Sequence, residues 1–131
     1  MIRHTPFVFL AAAALLLAGP APAQTQTALN QQAGAEWKAA DATMTVQWQR
    51  TYAAMKRRDA ADTSRGGGFG YAAATLASQR AWLAFRDAQC VIEGGEYAGG
   101  SMQPMVQRQC LARLTRGRTT QLKDMMWQRG R

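Results

Sequence analysis

Gln79-Arg80-Ala81-Trp82-Leu83-Ala84-Phe85-Arg86-Asp87-Ala88-Gln89-Cys90, running on to Glu93-Gly94-Gly95-Glu96-Tyr97-Ala98-Gly99-Gly100-Ser101, decides how the rest of this chain is read. The first part has the spacing of a helix and the second the composition of a loop. Leu76, Leu83 and Cys90 recur every seven residues, and Trp82, Phe85 and Ile92 lie on an adjoining face, so a helix over 71–93 offers an apolar surface wide enough for two neighbours. Gly94-Gly95 is expected to end it. Arg86 and Asp87 point about 100 degrees apart on such a helix. They are therefore expected not to pair with each other but to reach different neighbours, one of them bonding the backbone of the glycine-rich loop and holding its shape.

Working upstream, Trp37, Ala40, Met44, Trp48, Tyr52 and Met55 form one stripe at helical spacing, opposite Lys38, Asp41, Thr45, Gln49, Arg50 and Lys56. The stripe predicts a first helix over 33–58, following a frayed segment over 24–35 that has no sustained pattern. Lys56-Arg57-Arg58 suits the negative carbonyl end of a helix, with Asp59 and Asp62 read as polar loop residues beyond it. Arg65-Gly66-Gly67-Gly68-Phe69-Gly70 is read as a linker, because it lacks the strand, lysine and hydroxyl residue of a phosphate-binding loop. Downstream, Ser101 is placed to cap a third helix over 102–127, with Pro104 tolerated in its first turn. Gln107, Leu111, Leu114, Arg118, Leu122 and Met125 give that helix its inner stripe. No window alternates as a strand would. The expected fold is all-α, a small three-helix antiparallel bundle.

The first 23 residues read as a secretory signal peptide: Arg3, an apolar run over 7–17 too short to span a bilayer, and Ala21-Pro22-Ala23 before Gln24. The mature domain is then 24–131, with no transmembrane segment. Once Arg3 is removed, 15 basic residues face 8 acidic ones, a net charge of +7. Such a surface favours anionic neighbours, lipid head groups or envelope polymers among them. Cys90 and Cys110 are most simply one disulfide in an exported chain, closing a loop that stabilises the fold by roughly 3 kcal/mol.

The only histidine, His4, lies in the signal peptide, so 24–131 cannot build a histidine-based triad, a histidine general base or an ordinary zinc site. No catalytic residue, metal or cofactor is assigned. Glu93 and Glu96 are the one carboxylate pair that a glycan hydrolase could use, and a domain this small has little depth in which to raise a carboxylate pKa. Of the four tryptophans only Trp127, beside Arg129 and Arg131, fits a nucleic-acid groove, so no specific nucleic-acid partner is expected.

The opening stretch, with Gly99-Gly100-Ser101, Cys110-Leu111, Leu114-Thr115 and Arg118, resembles the signature of the LprI-type lysozyme inhibitor family, and residues 30–42 are similar to that family's first helix. The resemblance implies a small exported helical domain, some of whose relatives inhibit lysozyme. Gln32 stands where relatives often have a cysteine, so one staple is absent and the N-terminal segment is expected to be more mobile. The expected partner is lysozyme or another cell-wall-active protein, met by Glu93, Glu96, Tyr97, Gly99, Gly100 and Ser101, with Trp82, Arg86, Asp87 and Arg118 as structural support. Familiar animal-type lysozymes are themselves basic, so Asp87, Glu93 and Glu96 are where a compensating acidic patch is looked for. The alternative is a cationic envelope protein that binds anionic surface polymer or lipid without inhibiting lysozyme.

Overall fold

The computed structural model describes residues 25–127. Three helices follow one another: α1 (Gln26–Ala61), α2 (Tyr71–Gly95) and α3 (Gln103–Trp127), with a 3-10 turn at Ser64–Gly66 between the first two. The chain runs up, down and up. α2 is thus antiparallel to both neighbours while α1 and α3 lie parallel, as shown by Asn30 meeting Arg108, Trp37 packing against the cluster of Cys110 and Leu111, and Gln47 touching Met126. The signal-peptide segment and 128–131 fall outside the described residues.

α1 begins well before the expected start, and the segment over 26–35 is helical, not frayed. Thr25 caps it, its hydroxyl accepting from the Ala28 N–H at 3.2 Å. Tertiary contacts hold the rest: Asn30 Nδ2 donates to the Ser101 carbonyl, and the Arg108 guanidinium donates to the Asn30 carbonyl at 2.9 Å. Ala33 is buried, and the side chain of Arg108 lies over Gly34. Small residues make this contact, which is why no apolar stripe announces it.

The other end of α1 also extends past the expected stop, because its last turn builds the start of α2. Gly70, at φ +85°, occupies the cap position of α2 and has no side chain to offer. Asp59 supplies the cap from α1: its two carboxylate oxygens accept from the N–H groups of Tyr71 at 2.6 Å and Ala72 at 2.8 Å. The Arg58 guanidinium lies over the Tyr71 ring and donates to its hydroxyl. Asp62 accepts from Ser64 in the connection. Neither aspartate is an idle loop charge.

The inner face of α1 is Ala33, Ala40, Met44, Thr51, Ala54 and Met55. Trp37, Trp48 and Tyr52, expected at its centre, sit half-buried at its border, with Trp48 stacked on Tyr52. The larger departure is α2. Its buried residues are Thr75, Gln79, Arg86, Cys90 and Gly94, whereas Phe85 is 55% exposed and Ile92 68% exposed. The inward stripe of α2 is therefore polar. It works because polar groups from the other helices meet it; of the expected apolar face, Cys90 is buried and Leu76, Trp82 and Leu83 are half-buried, while Phe85 and Ile92 point away from the bundle.

Cys90 and Cys110 form a disulfide with Cα atoms 5.5 Å apart, an ordinary separation for such a bond. Leu111, Trp37 and Leu114 pack around it, so the covalent link sits in the apolar core and joins α2 to α3. One turn further along α2, Gly94 is buried in the last turn of the helix, which ends at Gly95. A Cβ there would stand 3.1 Å from the Cβ of Gln107, so the missing side chain lets α2 and α3 close together.

Candidate functional site: the connection between the second and third helices

The loop over 96–102 is a chain of tight turns that bonds to itself and to all three helices. The N–H of Gly100 donates to the Tyr97 carbonyl at 2.9 Å, and that of Gln103 to the Gly100 carbonyl. Gly99, at φ +77°, takes a left-handed conformation that disfavours any side chain, and its N–H donates to Gln103 Oε1 at 3.0 Å. α3 starts two residues beyond Ser101, which acts not as the helix cap but through its carbonyl, held by Asn30 of α1. The loop's shape is thus set by Asn30 and Gln103, neither of which stood out in the sequence. On this frame Tyr97 and Met102 are exposed apolar side chains, and Glu96 is an exposed acid beside them.

The acids placed around the loop have separate fates. Glu93 is held by Arg113, whose guanidinium donates to both carboxylate oxygens at 2.8 Å. The Arg113 hydrogen bonds, followed by that from Gln89, keep the Glu93 carboxyl below the usual carboxylate range. A glycosidase's general acid needs the opposite shift, so Glu93 does not have the environment of that acid. Asp87 is likewise engaged, by Arg86. Of the three acids, Glu96 alone makes no ion pair among the described residues.

Arg86 does not reach the loop. It is 6% exposed and turns back on its own neighbour, Nε donating to Asp87 Oδ1 at 2.9 Å, while a terminal nitrogen reaches Asp41 of α1 at 3.1 Å and Thr115 of α3 at 3.3 Å. The expectation that adjacent Arg86 and Asp87 point apart fails because the long arginine side chain bends across the intervening angle. Two turns earlier on α2, Gln79 Oε1 accepts from Arg118 Nε at 2.9 Å, and the Ser78 hydroxyl accepts from Nη2 of the same guanidinium at 3.0 Å. Burial pushes the Arg118 pKa below the ordinary guanidinium value. Trp82 lies between the two cations, 5.3 Å from Arg86 and 5.7 Å from Arg118. Trp82, Arg86, Asp87 and Arg118 thus form a polar belt that ties the three helices together, several turns from the loop.

A second surface runs along the groove between α1 and α3, on the side away from α2. One recess of about 380 Å³ is lined by Glu36, Ala39, Ala40, Thr43, Arg116 and Thr119. The next, of about 300 Å³, is lined by Gln47, Arg50, Lys123 and Met126. Arg50, Arg116 and Lys123 are exposed and enter no ion pair among the described residues. Nor do the described residues contain any cluster of histidine, cysteine and carboxylate groups that could hold a metal ion.

The family described as Lysozyme inhibitor LprI matches residues 18–122. The chain belongs to the LprI family. It is also 40% identical over 105 residues to a protein of Rhizobium meliloti (strain 1021) described as uncharacterized, a match covering 79% of this chain and 76% of that one. No solved structure matches significantly. The LprI match spans all of α1 and α2, the loop and most of α3, so the loop and belt both lie inside it.

Proposed function

We propose that this chain is an exported lysozyme inhibitor that acts by binding alone, inserting the loop over 96–102 into the substrate cleft of the enzyme. The observation that carries this reading is membership of the LprI family across residues 18–122. The disulfide fits an oxidising compartment, and no helix among the described residues is long and apolar enough to cross a membrane. Residues 1–23 are then the export signal and 24–131 the mature inhibitor.

The loop suits the task physically. Its backbone is already fixed by its own hydrogen bonds and by Asn30 and Gln103, so little conformational entropy is lost on binding. Tyr97 and Met102 supply apolar contact, and Glu96 supplies the negative charge that a basic lysozyme meets first. Because Glu93 and Asp87 are neutralised by Arg113 and Arg86, the acidic contribution narrows to Glu96. A turbidity assay with the oxidised mature chain tests the reading. Lysis should slow in proportion to added protein, Tyr97→Ala and Glu96→Lys should weaken the effect, and undiminished lysis at large molar excess refutes inhibition.

The unpaired cations of the α1/α3 groove support a second reading, binding of an anionic envelope polymer. Sedimentation with cell-wall fragments should then weaken as salt is raised and be reduced by Arg50→Gln, Arg116→Gln and Lys123→Gln together. Retention that ignores both salt and these substitutions excludes it.

A further inference from the structure

The face that α2 turns away from the bundle has an unusual composition for a surface helix. Ala74, Ala77, Ser78, Ala81, Ala84, Phe85, Ala88, Val91, Ile92 and Gly95 are all exposed and fall within roughly 140 degrees of one another at 100 degrees per residue. No charged side chain of the helix lies inside that arc. Phe85, Val91 and Ile92 are 55%, 60% and 68% exposed, so these are whole apolar side chains and not the edges of a core. At 1.5 Å per residue the strip is roughly 30 Å long, and at a helix width of about 10 Å it covers roughly 300 Å². The largest apolar patch on a typical monomer is about this size and is often functional.

The order of large and small residues along the strip identifies what covers it. The small residues Ala74, Ala77, Ser78, Ala81 and Ala84 occupy its N-terminal part, and Phe85, Val91 and Ile92 its C-terminal part. Two copies packed antiparallel, with the two-fold axis beside Ala84, place each large side chain over a small one: Phe85 over the other copy's Ala81, Ile92 over its Ala74 and Val91 over its Ala77. The same register sets Arg80 of one copy opposite Asp87 of the other, whose Oδ1 is held by Arg86 while its exposed Oδ2 is left to accept. Arg80 and Asp87 border the strip on the same flank, and this two-fold operation keeps that flank on one side. A parallel pairing instead stacks Phe85 on Phe85 and Ile92 on Ile92, leaves the alanine halves apart and gives Arg80 no acid. Two strips remove roughly 600 Å² of accessible surface, to which their polar borders add, the scale of a weak, reversible dimer.

We infer that the chain self-associates through the outer face of α2 as an antiparallel two-fold dimer centred near Ala84. The loop over 96–102 then projects beyond the interface at both ends of the pair, so each dimer presents two loops facing opposite ways.

Sedimentation equilibrium of the oxidised mature chain over a range of concentrations tests this directly. The expected result is a monomer–dimer equilibrium whose dissociation constant rises at least about tenfold in Phe85→Glu and in Ile92→Glu, as for central residues of an interface, with helical circular dichroism unchanged. Ala84→Cys should give a disulfide-linked dimer on mild oxidation, whereas Thr45→Cys, on the exposed face of α1, should not. A chain that stays monomeric at every concentration overturns the proposal, as does a dimer indifferent to both α2 substitutions. A monomer in which Phe85→Glu abolishes lysozyme inhibition also overturns it and assigns the strip to the enzyme. Loss of inhibition by Tyr97→Ala with the dimer intact leaves the self-association standing, so the two readings fail separately.

Discussion

Asp59 shows how much one side chain does in a domain this small. Its carboxylate closes two open N–H groups at the start of α2 and places negative charge at the positive end of that helix. Asp59→Ala is expected to cost about 1–2 kcal/mol, seen as a lower denaturant midpoint with little change in the slope. Trp37 makes the opposite case. Its indole Nε1 is buried without a hydrogen-bond partner among the described residues, although its ring packs on the disulfide cluster. An unsatisfied donor costs roughly 1–3 kcal/mol, so Trp37→Phe removes that penalty together with some contact and should change stability by less than about 1 kcal/mol. Trp37→Ala, which empties the site, should cost about 3 kcal/mol or more, and equal losses in the two variants would show that the indole donor carries no penalty.

Among the elements, α2 sets the architecture by having two unlike faces. Its inner face exchanges polar bonds with α1 and α3 through Gln79 and Arg86, and its C-terminal turn is drawn against α3 by Cys90 and the bare backbone of Gly94. Leaving Arg86 without its acids would strand a buried charge, which is costlier than the net worth of the pair itself. The neighbouring glycines of this helix should respond oppositely to the same substitution. In Gly94→Ala the new methyl meets a Cβ fixed to the α3 backbone, so the helices must part, at roughly 1–3 kcal/mol. Gly95 faces open space without a positive φ, and Gly95→Ala should be neutral or stabilising by up to about 1 kcal/mol. Thermal melts of the two variants check this; matching shifts would mean that close approach at Gly94 is not what demands glycine there.

The molecule as a whole is held by a covalent link, a polar belt and a few clips near its ends, and these respond differently to solvent. The Arg113 clip on Glu93 has a pH signature. Since the folded chain keeps the Glu93 carboxyl below its ordinary value, its contribution is complete above the usual carboxylate range and disappears as pH falls through the lowered value. Wild type should therefore exceed Arg113→Ala in stability near neutral pH and lose that advantage in strong acid. A difference that persists unchanged in acid would mean that the clip acts by packing and not by charge. Both groups are substantially solvent-accessible, so high salt should also shrink the difference.

Periodicity alone determined three helices and their approximate limits, and cysteine number alone determined the cross-link, because turn spacing and the scarcity of thiols are properties of the chain itself. The family was legible in the same way, through the Trp82, Arg86-Asp87 and Cys90 spacing. The heptad of Leu76, Leu83 and Cys90 lies on the bundle side of α2 as read, but the burial of Gln79 and Arg86 beside it and the exposure of Phe85 and Ile92 were decided only by the fold. Arg86 and Gln79 are buried because Asp41, Thr115 and Arg118 arrive from other helices to meet them, and hydrophobicity read along α2 cannot register partners 29 to 45 residues away. The same reason hid the helical start of α1, whose contacts are made by Ala33, Gly34 and Asn30, and the cap formed by Asp59, whose helix begins 12 residues later. Local sequence carries the energetics of turns and stripes. The placement of buried charge, close glycine contacts and the frame of the loop depends on which distant groups are brought within hydrogen-bonding reach, and that is settled only when the helices pack.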